Sequence, residues 1–96
     1  MAMDTDEFTR ISKALADPQR FAMLQQITRQ RDELSCKALR QDFDLTAATI
    51  SHHLKELTNA GLIEGRKEGQ CMYLTPRRST INAYQRELAR RMGTGG

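Results

Sequence analysis

The stretch "TISHHLKELTNAGLIEGRKEGQCMYL", residues 49–74, holds most of the side chains suited to chemistry, and that chemistry is hydrogen bonding rather than bond making. Ser51 and His52 carry groups that donate to or accept from nucleobase edges, and Lys55, one helical turn on, suits a phosphate. On a helical wheel Ala48, His52, Lys55 and Asn59 fall opposite Ile50, Leu54 and Leu57, so one face is small and polar and the other apolar. Small residues such as Ala48 let a helix backbone approach base edges closely. His53 lies about 100° round from His52, at the margin of the apolar stripe, where a hydrogen-bonded, semi-buried histidine is expected. Further along, Arg66 and Lys67 occupy one arm of a hairpin with Gly69 at its tip, a placement that suits phosphates or an adjacent minor groove. No nucleophile, base and orienting group occur in a recognisable arrangement and no glycine-rich phosphate loop is present, so no enzyme is expected.

The two cysteines, Cys36 and Cys71, have neither C-x-x-C spacing nor the number needed for a disulfide framework, which points to a reducing, cytoplasmic setting. Cys36 falls in the first turn of a helix with Lys37 and Arg40 nearby, an arrangement that favours a thiolate and makes it a candidate redox switch. Against this, it shares a helical face with Leu39 and Phe43, and a free cysteine in that company is a small buried hydrophobe, the reading these residues favour.

The elements that must hold these side chains follow from caps and apolar spacing. Asp4 with Glu7 resembles a capping box, and Phe8, Ile11 and Leu15 then share one face of a first helix. Asp17-Pro18 opens a second, running to about Arg29, with Phe21, Leu24 and Ile27 as its apolar stripe. Ser35 caps a short third helix, and Thr46 caps a fourth that Gly61 ends. "LIEGRK" and "QCMYL" form two strands joined by a turn at Glu68-Gly69, and a last helix follows Pro76. The layout is that of a winged helix-turn-helix, mainly α with a two-stranded β wing, in which the helix after Thr46 enters the DNA major groove. With 96 residues the chain makes one domain, 1–96, with 1–5 and 93–96 expected to be disordered. A domain of that size has a marginal core. The stripe Ile81, Tyr84, Leu88 and Met92 on the last helix must be covered, and with Phe8, Ile11 and Leu15 it is assigned to a two-fold dimer interface. The net charge of +3 is compatible with a polyanionic partner, and no apolar run is long enough to span a membrane.

"ISKALADPQRFAML" followed by "LTAATISHHLKELTNAGLIEGRKEGQCMYL" resembles the ArsR/SmtB family of bacterial repressors over nearly the whole chain. Leu15 to Arg20 match its "L-A-D-P-x-R", Ser51 to Ile63 its recognition helix, and Arg66 to Gly69 its basic "R-x-x-G" wing. The resemblance implies a homodimeric regulator that binds an imperfect palindrome in double-stranded DNA and is released by an effector. It assigns DNA contacts to Thr49, Ser51 and His52; Thr46, Ala47 and Ala48 at the start of the same helix, with Lys55, Arg66 and Lys67 by their charge and placement, complete the candidate DNA-binding set. Ala47 and Ala48 replace the glutamine and serine often found there. Where the family's thiolate metal motif reads E-L-C-V-C-D-L, this chain has "ELSCKAL", with Ser35 and Lys37 in place of cysteines, and its last helix contains no histidine. One thiol cannot complete a soft-metal site, so no metal or other cofactor is expected. The competing reading is a winged-helix protein-interaction module, which requires large apolar anchors on the fourth helix.

Overall fold

Four side chains start four helices. Asp4 Oδ1 accepts from the Glu7 amide at 2.8 Å and opens α1 (Thr5–Ala14). Asp17 Oδ1 accepts from the Gln19 and Arg20 amides at 2.9 and 3.0 Å and opens α2 (Pro18–Arg29), with Pro18 in its first turn. Ser35 Oγ accepts from the Ala38 amide at 3.1 Å and opens α3 (Cys36–Gln41); Thr46 Oγ1 accepts from Thr49 at 3.1 Å and opens α4 (Ala47–Asn59). Each such cap satisfies an amide that has no partner within its helix and contributes about 1 kcal/mol. A fifth helix, α5 (Arg78–Met92), starts at Arg77 without a side-chain cap. Gly61 ends the turn after α4 in the left-handed region, φ +77°, which lets the Leu62 amide reach back to the Leu57 carbonyl at 3.0 Å.

The computed structural model describes residues 3–94. Met3 packs against the core, Asp4 caps α1, and the Thr94 amide closes α5 on the Ala89 carbonyl at 2.9 Å. Residues 3–5 and 93–94, expected to be disordered, therefore belong to the fold; the rest of those two end segments lies outside the described residues.

Three strands form the sheet, not two. The expected hairpin is β2 (Ile63–Glu68) paired antiparallel with β3 (Cys71–Pro76), in register from Ile63↔Pro76 to Glu68↔Cys71. β1 (Leu34–Ser35) adds to the other edge of β3 through Leu34↔Leu74 and Ser35↔Tyr73, giving the order β1-β3-β2. A strand of two residues carries no alternation, which is why the sequence does not announce it.

Ile11, Met23, Ile27, Leu39, Leu57, Leu62 and Ile63 are fully buried and draw all the helices before the hairpin onto one core. Two expectations are corrected here. α2 buries Met23, Leu24 and Ile27, while Phe21 is 43 % exposed, so its inward stripe is rotated from the expected Phe21-Leu24-Ile27. Ile11 has no exposed surface in the single chain, so it belongs to the monomer core and is not available to a dimer partner.

Candidate nucleic-acid interface

α4 is held from within by its one buried polar side chain. His53 is 5 % exposed and its Nδ1 accepts from Arg20 Nε at 3.3 Å; the same guanidinium donates through Nη1 to the Ala14 carbonyl at 3.3 Å. Arg20 is placed by Asp17, whose carboxylate takes the Arg20 amide and lies below the usual carboxylate range chiefly because of that bond. The expected hydrogen-bonded histidine is thus found, with its donor identified. Ile50 and Leu57 are buried alongside it and Leu54 is half-buried.

With that face inward, α4 turns Ala47, Ala48, Ser51, His52 and Lys55 to solvent. Thr46 is exposed, and Thr49 is half-buried with its hydroxyl accepting from Thr46 Oγ1 at 2.8 Å. The exposed residues lie at the N-terminal half of the helix, where unpaired amides and the macrodipole favour a negative group. Between α4 and the hairpin runs a cleft of about 460 Å³, with Ser51, Lys55 and Thr58 on one wall, Gly65 and Met72 on the other, and Cys36 among its lining. Of the candidate residues of α4, Ser51 and Lys55 thus face the hairpin across this cleft, while Ala47, Ala48 and His52 are exposed outside its lining.

In the wing, Arg66 is engaged by carboxylates of the chain itself. Its Nε and Nη2 donate to the two carboxylate oxygens of Glu33 at 2.8 and 2.7 Å, its Nη1 donates to Glu68 at 3.0 Å, and its guanidinium lies 4.9 Å from the Tyr73 ring centroid. Arg66 thus reaches across the middle strand to the segment before β1. The Arg66 hydrogen bond holds the Glu33 carboxyl below its ordinary range, and Glu33 in turn raises the guanidinium above its own. Lys67, next in the strand, is exposed on the opposite face of the sheet and has no ion pair among the described residues.

Cys36 is half-buried, and burial raises its thiol above the ordinary value against a smaller opposing pull from Arg40. That direction accords with the packed reading of Cys36 rather than with a thiolate. Cys71 is exposed, and both thiols are free. Among the described residues no group of three or more His, Cys, Asp or Glu is gathered to hold a metal ion.

α1 and α5 pack together. Phe8 stacks on Tyr84 with ring centroids 5.0 Å apart, Ser12 Oγ and Tyr84 OH share a 2.8 Å hydrogen bond, and the Arg91 guanidinium covers Phe8 at 4.3 Å. A groove of about 440 Å³ beside them is lined by Leu15, Phe21, Leu24, Ile81, Tyr84 and Leu88. Leu88 is 41 % and Met92 68 % exposed, so this apolar face is uncovered in the single chain. Glu87, which sequence reasoning missed, is 4 % exposed and accepts from both Arg90 and Arg91; these bonds, Arg90's first, pull its carboxyl down to about 2. Phe21 was also missed as part of this face. No signal separates it from Met23, since both are apolar and one or the other must turn inward.

A helix-turn-helix domain family matches residues 15–66. An HTH-type transcriptional regulator of Bacillus subtilis, YceK, is 33 % identical over 75 residues, which cover 78 % of this chain and 75 % of that protein. Among solved structures, an ArsR family transcriptional regulator superposes with a TM-score of 0.84 at 26 % identity, covering 97 % of this chain and 94 % of the other. The homodimeric winged helix-turn-helix DNA-binding domain of a possible ArsR-family regulator from Mycobacterium bovis superposes at 0.71 with 25 % identity, over 88 % and 84 % of the two chains. Motif, fold and relatives agree: the chain belongs to the ArsR/SmtB family of winged helix-turn-helix, DNA-binding transcriptional regulators.

Proposed function

We propose that the chain represses transcription as a homodimer on a palindromic operator, with Thr46, Ala47, Ala48, Thr49, Ser51, His52 and Lys55 of α4 facing the major groove and Lys67 of the wing on flanking phosphates. The observation that carries this reading is the α4 surface itself: small and polar, positive at its dipole end, and without a large exposed apolar residue. A helix built to anchor a protein partner requires such residues, so the same observation weighs against an interaction module. Dimerisation is supported by the uncovered face of Leu15, Tyr84, Leu88 and Met92 with Phe8 beside it, and by the homodimeric relative. A two-fold dimer requires half-sites about 10 base pairs apart or a multiple of that. No helix among the described residues is long and apolar enough to cross a membrane, in keeping with a cytoplasmic place of action.

Selection of duplexes from a random library, followed by sizing of the complex and a reporter placed behind the recovered sequence, tests this. The expected result is an inverted repeat bound by two chains, with reduced transcription. Enrichment of an asymmetric site or of none, or activation of the reporter, overturns it.

A further inference from the structure

His53 and Glu87 are the buried polar side chains among the described residues, and only His53 lies on the helix that faces DNA. Its neighbours along α4 are the exposed Ser51 and His52, so whatever fixes the azimuth of His53 fixes theirs. Apolar packing by Ile50, Leu54 and Leu57 holds the helix against the core but is non-directional. The Arg20 hydrogen bond is directional, and Arg20 is itself held from two sides, by the cap of α2 through its amide and by the end of α1 through the Ala14 carbonyl. A helix with side chains has a radius of about 5–6 Å, so a rotation of about 20° moves a side-chain tip by about 2 Å, enough to break a hydrogen bond to a base edge.

We propose that Arg20 and His53 are positioning residues for base readout: their hydrogen bond sets the rotation of α4 about its own axis, and with it where Ser51 and His52 meet the bases. This rests on α4 being the reading helix. Phosphate contacts tolerate small rotations and base-edge contacts do not, so the effect falls on discrimination rather than on DNA binding as such.

The test uses the duplex that the wild type recovers from a random library and a scrambled duplex of equal composition, at one salt concentration, with thermal melting of each variant. His53→Leu keeps the buried volume and removes the acceptor; His53→Asn keeps an acceptor at the same branch of the side chain; Arg20→Met removes the donor. The leucine and methionine variants should lower the ratio of selected to scrambled affinity by about tenfold, the size of one lost base contact, while scrambled-duplex affinity stays within about twofold of wild type. His53→Asn should return most of that ratio, and a double His53→Leu, Arg20→Met variant should be no worse than either single change. If His53→Leu does not fold, Arg20→Met carries the comparison alone, because Arg20 is half-buried near the N-terminus of α2. Retention of the wild-type ratio in Arg20→Met, or an asparagine variant as poor as leucine, overturns the proposal. A wild-type ratio of one would instead show that the chain does not read base sequence, and would remove the ground beneath the proposal.

Discussion

Replacing Glu33 with glutamine removes the charge that occupies Arg66 while keeping the side chain's length. In the folded chain Glu33 takes two of the guanidinium's hydrogen bonds and Glu68 a third. Three of the guanidinium's five N–H donors, and most of its charge, are thereby taken up by carboxylates, so Arg66 is expected to deliver less charge to DNA than an unpaired arginine would. Salt dependence counts delivered charges, since log K falls against log salt with a slope of about 0.9 per phosphate contact on duplex DNA. Freeing Arg66 should therefore steepen the slope by about 0.9 per protomer, or about 1.8 for a two-fold dimer. Between 50 and 200 mM salt that widens the ratio of the two affinities by roughly twelvefold beyond wild type. Fluorescence anisotropy with a labelled duplex across a salt series measures it, and a thermal melt of each protein checks that the wing still folds. Glu68→Gln, which leaves the two-oxygen grip of Glu33 in place, should steepen the slope less. A slope for Glu33→Gln equal to that of wild type would refute the reasoning, because Arg66 would then either reach phosphate already or never reach it.

Leu88→Glu puts a carboxylate into the apolar groove, where burial without a partner costs roughly 3 kcal/mol or more per protomer; because Leu88 is half-exposed in the single chain, the variant should fold and sediment as a monomer, and an unchanged dimer would place the interface elsewhere. Glu87 contributes stability that is complete above its ordinary value of 4.5 and is lost as pH falls toward about 2, because its folded value is the depressed one. The thermal midpoint of wild type should therefore drop across that window more steeply than that of Glu87→Gln; parallel curves would count against the Arg90–Glu87–Arg91 pairing. Iodoacetamide should modify Cys71 well before Cys36 in the folded protein, read by mass spectrometry, and mild peroxide should leave DNA binding by wild type and Cys36→Ser alike. Equal labelling of the two thiols would revive the switch.

The helix starts were legible because Asp4, Asp17, Ser35 and Thr46 act on amides two or three residues away, and Gly61 was legible because a left-handed turn asks for glycine. The α4 surface was legible for a similar reason: a helical wheel needs only local spacing. What stayed hidden depends on partners distant in the chain. β1 exists because β3 arrives beside it, and Arg66 is captured by Glu33 from the far side of the sheet. Ile11 and Leu15 share a face, yet a wheel cannot say that one is sealed inside the chain and the other opens onto a groove. Glu87 sits in a run of charges that resembles a solvated helix, and its burial beneath Arg90 and Arg91 appears only in the folded chain.

The pairing of Leu34 with Leu74 also has a meaning in time. It closes a loop of chain that contains α3, α4 and β2, so the helix-turn-helix lies inside a ring fastened by its last strand. α3 has six residues, too few to persist as an isolated helix, and α4 buries its inner face against strands and helices on both sides of it in the sequence. A chain still emerging from the ribosome therefore holds every exposed residue of α4 before it holds the strand that closes the ring. The closure that holds α3 arrives with β3, and a fragment ending at Gly69 should exchange its α3 amides at nearly the rate of an open chain.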